Sequence, residues 1–174
     1  MPVRDWGVRI TAKVDYAVRL CVELAGRDRP EAFVKADDLS AAQDVPVAYV
    51  LGILNALKQA GIVESRRGAD GGTRLASPAR EIVVADVIRA IDGPLATVGG
   101  THVEEVDYGG RATAVRDVWV ALRASMRSVL DVVTLEDVAR SALPEPAATF
   151  LADDDAWATR PNGRATWVGR RQDG

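Results

Sequence analysis

Apolar side chains recur in steps of three and four over most of the chain, and glycine or proline breaks the pattern at short intervals. Val14, Ala17, Val18, Cys21, Val22 and Leu24 share one face of a helix predicted over 10–24. Gly26 and the run Asp28-Arg29-Pro30 end it. A short helix fits 37–43, and Asp44-Val45-Pro46 forms the turn after it. A third helix is predicted over 46–60, with Val50, Ile53, Leu54 and Leu57 as its buried stripe. Proline suits its first turn, where the missing N–H has no helical partner to lose. Two extended runs, 62–67 and 73–76, flank the turn Gly68-Ala69-Asp70-Gly71-Gly72 and read as a β-hairpin. Helical spacing returns over 81–91 through Val84, Val87, Ile88 and Ile91, and Asp92-Gly93-Pro94 stops it.

Residues 96–110 hold four glycines and no period, so a loop is predicted there. From Thr113 a long stripe runs through Val115, Val118, Trp119, Leu122, Met126, Val129, Leu130 and Val133, which predicts one helix of about five turns. Thr134 reads as a fresh N-cap for a short helix beyond it. After Ser141, prolines 144, 146 and 161 and several glycines predict a loose tail. Trp157 and Trp167 are out of place in pure disorder and suggest that the tail packs onto the body.

The order helix, short helix, tight turn, longer helix, hairpin is the plan of a winged helix-turn-helix. The expected fold class is mainly α with a small β-hairpin wing and a long dimerisation helix. The expected parts are a DNA-binding domain over 8–95, a sensor-type loop at 96–112, a dimerisation region at 113–140 and a tail at 141–174. A major groove about 12 Å wide admits one helix, and the shorter helix braces it against the backbone. This plan makes double-stranded DNA the expected partner. Candidate contacts are Thr11 and Lys13 at the first helix, and Lys35 before the second. They continue with Pro46, Val47, Ala48 and Tyr49 at the recognition helix, and Arg66, Arg67, Gly71, Gly72 and Arg74 in the wing. The wing glycines are expected to let the chain approach a sugar-phosphate strand, and its arginines to meet phosphates.

The composition limits the other possibilities. Of 174 residues 48% are hydrophobic and 27% charged, as in globular proteins, and no apolar run approaches the roughly 18 residues of a membrane span. The start, Met1-Pro2-Val3-Arg4-Asp5-Trp6, has no signal-peptide stretch, so a cytoplasmic location is expected. A net charge of −3 argues against a protein coated with positive charge, but the charge is segregated and leaves room for a local basic surface. Acids crowd Glu104-Glu105-Val106-Asp107 and Asp153-Asp154-Asp155, and basic residues crowd Arg66-Arg67 with Arg74 and Arg80. Cys21 and His102 are the sole cysteine and histidine and lie far apart in sequence, so no nucleophile–base pair is visible and no enzyme is expected. One cysteine also excludes an internal disulfide and an all-cysteine metal site.

The chain resembles the Rrf2 family of winged-helix regulators over roughly 10–140. The resemblance is carried by Ile10-Thr11-Ala12-Lys13-Val14-Asp15-Tyr16-Ala17-Val18-Arg19 and by Val45-Pro46-Val47-Ala48-Tyr49-Val50. Leu57-Lys58-Gln59-Ala60-Gly61-Ile62-Val63 continues it. The most specific part is the wing and its exit, Arg66-Arg67-Gly68-Ala69-Asp70-Gly71-Gly72-Thr73-Arg74-Leu75-Ala76 and then Glu81 through Gly93. The long helix with Trp119, followed by Thr134-Leu135-Glu136-Asp137-Val138, looks like the family's C-terminal half. The resemblance implies a homodimer built on the long helix, with Val115, Val118, Trp119, Leu122, Met126 and Val129 at the interface.

Several positions depart from the family pattern. Its sensing members hold an iron–sulfur cluster on three cysteines in the loop before the long helix, and residues 96–112 here have none. No cofactor and no iron–sulfur cluster are therefore expected. His102 alone does not hold a cluster, and Asp15, placed where some members use an aspartate ligand, reads as solvated or salt-bridged. Members that make polar base contacts carry acidic and amide side chains where this chain has Leu51 and Gly52. Thr73 replaces the usual wing aromatic, and Lys35 replaces a hydroxyl residue.

The expected function is a cluster-free, sequence-specific DNA-binding transcriptional regulator, with repression as the default sign. Its effector, whether small molecule, ion or protein, is unknown. His102, Glu104, Glu105 and Asp107 in the mobile loop are candidates for sensing pH or a cation. The alternative is a winged-helix module for protein–protein interaction that has lost specific DNA binding.

Overall fold

A computed structural model describes residues 10–27, 29 and 31–158. Helix α1 (Ala12–Ala25) begins where the Thr11 hydroxyl accepts the Val14 N–H, and it buries Val14, Ala17, Leu20, Cys21 and Leu24. Helix α2 (Ala36–Gln43) buries Leu39 and ends at Asp44, whose left-handed backbone (φ 52°) makes the tight turn into α3 (Val47–Gln59). Aspartate tolerates that conformation better than most side chains. The Ser40 hydroxyl donates to the Val45 carbonyl at 2.7 Å and closes the turn. Val50, Ile53, Leu54 and Leu57 of α3 are buried, on the face that the period predicted.

The hairpin pairs β1 (Val63–Arg66) with β2 (Gly72–Leu75), and Arg66 stands opposite Gly72. A single residue of the segment before α2 extends it. The Val34 N–H donates to the Thr73 carbonyl at 2.9 Å, and the Thr73 N–H donates back to Val34 at 2.8 Å. A 3-10 turn (Ala79–Glu81) leads to α4 (Val84–Asp92). The helix expected from Glu81 is thus interrupted at Ile82 and Val83, whose backbones pair instead with Leu135 and Thr134.

Residues 97–102, expected as plain loop, carry a two-residue hairpin. Its strands are β3 (Thr97–Val98) and β4 (Thr101–His102), joined through Gly99-Gly100. Helix α5 (Val115–Leu130) follows. It stops short of the expected Val133, because Val133 leaves the helix, is buried, and accepts the Val84 N–H at 2.9 Å. Thr134 then caps α6 (Leu135–Ala139): its hydroxyl accepts the Asp137 N–H, and the Asp137 carboxylate accepts the Thr134 N–H. The Thr134 hydroxyl also donates to that carboxylate at 2.7 Å, and this bond, followed by the one from the Thr134 N–H, holds the Asp137 carboxyl below the ordinary carboxylate range. Leu135 is fully buried and joins the core made by α1, α2, α3 and α4, so the chain returns to the winged unit after α5.

The tail is more structured than expected, with α7 (Ala147–Leu151) and a 3-10 turn (Asp154–Trp157). Trp157 does not pack onto the body. It is 71% exposed, and its indole N–H donates to the nearby Leu151 carbonyl. Trp167 lies outside the described residues. Among the described residues no helix is long and apolar enough to cross a membrane.

Candidate nucleic-acid interface

Burial of one face of α3 leaves the other in water. Pro46, Ala48, Tyr49, Leu51, Gly52 and Asn55 are exposed, and Val47 is half-buried. Lys13, at the start of α1, lines one hollow of about 300 Å³ together with Ala48, Tyr49, Gly52 and Ile53. The first and third helices therefore present these residues side by side. The Tyr49 ring meets Tyr16 edge-on, with centroids 6.3 Å apart, and the Arg19 guanidinium sits 5.6 Å from the Tyr16 ring centre. Arg19 is itself fixed by Gln43, through both the side-chain and the main-chain oxygens, and by Asp15 at 3.4 Å. Asp15 is thus salt-bridged on α1.

The wing is attached beside this surface. Lys35 immediately follows Val34, whose backbone bonds Thr73 of β2, so the start of α2 and the base of the wing form one unit. Arg66 and Arg67 lie at the far end of the hairpin and are exposed. Neither these two nor Lys13 or Lys35 has an ion-pair partner among the described residues. Most other described arginines do, although Arg29, Lys58, Arg111 and Arg127 share the lack of such a partner.

Four of the candidate contacts have internal tasks. Arg74 pairs with Glu64 across the hairpin, donates to the Glu31 carbonyl at 2.8 Å and lies 4.7 Å from the centre of the Phe33 ring. Thr11 caps α1 and donates to Asp92 at 2.9 Å. Gly72 permits close approach, but of the chain to itself: a Cβ there would lie 2.4 Å from the Val34 carbonyl oxygen. Gly71 is likewise closed in, because its Cβ would stand 2.3 Å from the Arg66 carbonyl oxygen. Thr73 is buried, with its hydroxyl 3.2 Å from that of Ser65. Sequence reasoning missed Val34, since one bridging residue has no alternation to betray it; the apolar pair Phe33-Val34 ahead of α2 was the available signal.

Helix α5 is the second candidate surface. All 16 of its residues remain at least partly exposed, and Val118 is 58% exposed. Val115, Trp119, Leu122, Met126 and Val129 are half-buried. Trp119 turns toward the preceding loop, where its indole N–H donates to the Tyr108 hydroxyl at 3.3 Å. In that loop Glu104 is paired with Arg123 of α5. A backbone hydrogen bond, and then Arg123, hold the Glu104 carboxyl below its ordinary range. His102, Glu104, Glu105 and Asp107 do not converge on a cation site: among the described residues no three His, Cys, Asp or Glu side chains are placed to hold a metal ion.

An iron–sulfur cluster needs thiolates, and the donor set does not fit one. Cys21 is completely buried in the core of the winged unit, where desolvation raises its thiol to about 12.

Residues 10–141 match the model of the family described as Rrf2, iron-dependent transcriptional regulator. Similar proteins include one from Mycobacterium tuberculosis H37Rv provisionally named HTH-type transcriptional regulator Rv1287. It is 51% identical over 84% of this chain and 90% of its own length. The HTH-type transcriptional regulator CymR of Bacillus subtilis is 31% identical over 76% of this chain and 90% of its own. The solved structure of B. subtilis CymR, described as the global cysteine regulator, superposes with a TM-score of 0.65 over 76% of this chain and 97% of that one, at 31% identity. The structure of T. potens IscR superposes with a TM-score of 0.62 over 89% of this chain and 95% of that one, at 26% identity.

Proposed function

Because the chain belongs to the Rrf2 family of transcriptional regulators, we propose that it is a dimeric DNA-binding repressor that works without an iron–sulfur cluster. The observation that carries the DNA contact is the exposed face of α3 with Lys13 lining the hollow beside Ala48, Tyr49 and Gly52. It is supported by Lys35 at the start of α2 and by Arg66 and Arg67 in the wing, all exposed and without a described ion-pair partner. In this reading α3 enters the major groove and the wing tip meets phosphates on the flank. Arg74 and Thr11 support the interface from within, by fixing the wing and the start of α1. The dimer reading is supported by the apolar stripe of α5, which one chain covers only in part and leaves exposed at Val118.

Arg67→Ala tests the DNA contact. The variant is expected to bind every duplex more weakly, with a salt slope shallower by about one. An unchanged affinity and slope would remove Arg67 from the interface. A protein-docking surface would present the same exposed Tyr49 and Leu51. The salt slope separates the two readings, since counterion release accompanies DNA binding.

The cluster-free reading rests on the cysteine-free loop and the buried Cys21. Protein purified anaerobically is expected to be colourless and to contain no acid-labile sulfide. Iron with matching sulfide and visible absorption would overturn it. Repression is the expected sign because a dimer seated on a promoter excludes polymerase without further contacts; a reporter assay on the selected operator decides it.

A further inference from the structure

Base recognition by this recognition helix has to be made with unusual side chains. Along the first two turns of α3 the sequence is Val47-Ala48-Tyr49-Val50-Leu51-Gly52-Ile53-Leu54. It contains no carboxylate, amide or guanidinium. Guanine is usually read by Arg or Lys and cytosine by an acidic acceptor, and neither occurs here. The centre of the outward face is Ala48, Leu51, Gly52 and Asn55, at helical steps of three and four opposite the buried Val50, Ile53, Leu54 and Leu57. Leu51 is 55% exposed and Tyr49 is 60% exposed. The base-edge feature in the major groove that an apolar side chain matches is the C5 methyl group of thymine.

Gly52 points the same way. A Cβ built there meets nothing within 4 Å, so neither packing nor the backbone of this chain requires a glycine. Glycine is also a poor helix former at such a position. Its benefit is room on the outside of the helix: with no side chain at position 52, the hollow lined by Lys13, Ala48, Tyr49, Gly52 and Ile53 stays open on the side of α3 that faces α1. Tyr49 is held at its edge by the Tyr16 ring, which Arg19 backs, so this wall is positioned before DNA arrives. Asn55, one turn further on, is the first amide of the stripe, and an amide matches adenine.

We propose that α3 reads thymine C5 methyl groups in the major groove, with Leu51 as the methyl contact and Gly52 as the gap that lets the base pair approach. This rests on the DNA-binding reading given above. The operator then has thymine at a fixed position in each half-site, specified by apolar contact and not by a hydrogen bond.

The test uses the full-length protein and the duplex it selects from a random pool. Each thymine is replaced in turn by deoxyuridine, which removes the methyl and keeps the pairing. At one symmetric position the parent is expected to bind the uracil duplex about fourfold more weakly, the effect of one buried methyl. Leu51→Ala, at an exposed site, is expected to bind thymine and uracil duplexes alike at that position. Gly52→Ala is expected to keep or raise the melting temperature while weakening binding. If the parent binds every uracil duplex as tightly as the thymine duplex, the methyl proposal fails and the DNA-binding reading stands. If Leu51→Ala keeps the parent's discrimination, Leu51 is not the reader and the proposal fails. If no duplex is selected, the DNA-binding reading fails and takes the proposal with it.

Discussion

Val118→Asp is expected to convert the protein to a monomer and to weaken operator binding about a hundredfold or more. Val118 is 58% exposed on a helix that buries none of its residues within one chain. An aspartate there faces water in the monomer and leaves the winged unit as stable as before. In a two-fold contact between α5 helices the same substitution places a carboxylate on each side of an apolar interface, and each would have to be desolvated without a partner. A dimer reads two half-sites about one helical turn apart, and the second contact gains from the high effective concentration created by the first. A monomer loses that gain, and one small winged unit offers little area for specific binding. Light scattering at micromolar concentration and titration of the selected operator check both parts. A Val118→Asp dimer with the parent's affinity would place the interface elsewhere.

Gly72→Ala is expected to cost about 3 kcal/mol of stability and to disable the wing. The added Cβ would lie 2.4 Å from the Val34 oxygen and 2.6 Å from its carbonyl carbon, which are backbone atoms that no rotamer change can move. The backbone at Gly72 also has φ +151°, a conformation that side-chain-bearing residues rarely adopt. Relief requires Val34 and β2 to separate, which breaks both hydrogen bonds between Val34 and Thr73. Lys35 and the arginines at the wing tip then lose their fixed spacing. Denaturant melts and operator titrations should show both losses together. A loss below about 0.5 kcal/mol would mean that the wing hangs free of Val34. Gly52→Ala provides the contrast, since open space surrounds that position and a gain approaching about 1 kcal/mol is expected there.

The helices and the wing were legible because their signals are local. The stripe Val50, Ile53, Leu54, Leu57 fixes which side of α3 is buried, and Thr134 announces α6 through its capping pair with Asp137. What escaped depends on residues far apart in sequence. Val129, Leu130 and Val133 continue a helical spacing, yet Val133 gains more from pairing with Val84 and from burial than from another turn. Arg74 looks like a phosphate contact in the sequence, and only the fold brings Phe33, Glu31 and Glu64 around it. The strands Thr97–Val98 and Thr101–His102 are too short to show alternation. Trp157 carries no positional signal, because an indole is equally compatible with a distant groove and with a local bond to Leu151.

Selection of duplexes from a random-sequence pool by the purified full chain, followed by titration of the selected duplex across salt concentrations, tests the central claim most directly. The account predicts one enriched, near-palindromic site with half-sites about one helical turn apart, and a log–log salt slope of about −0.9 for each phosphate contacted. A pool that stays unenriched, with equal affinity for every duplex, would contradict it.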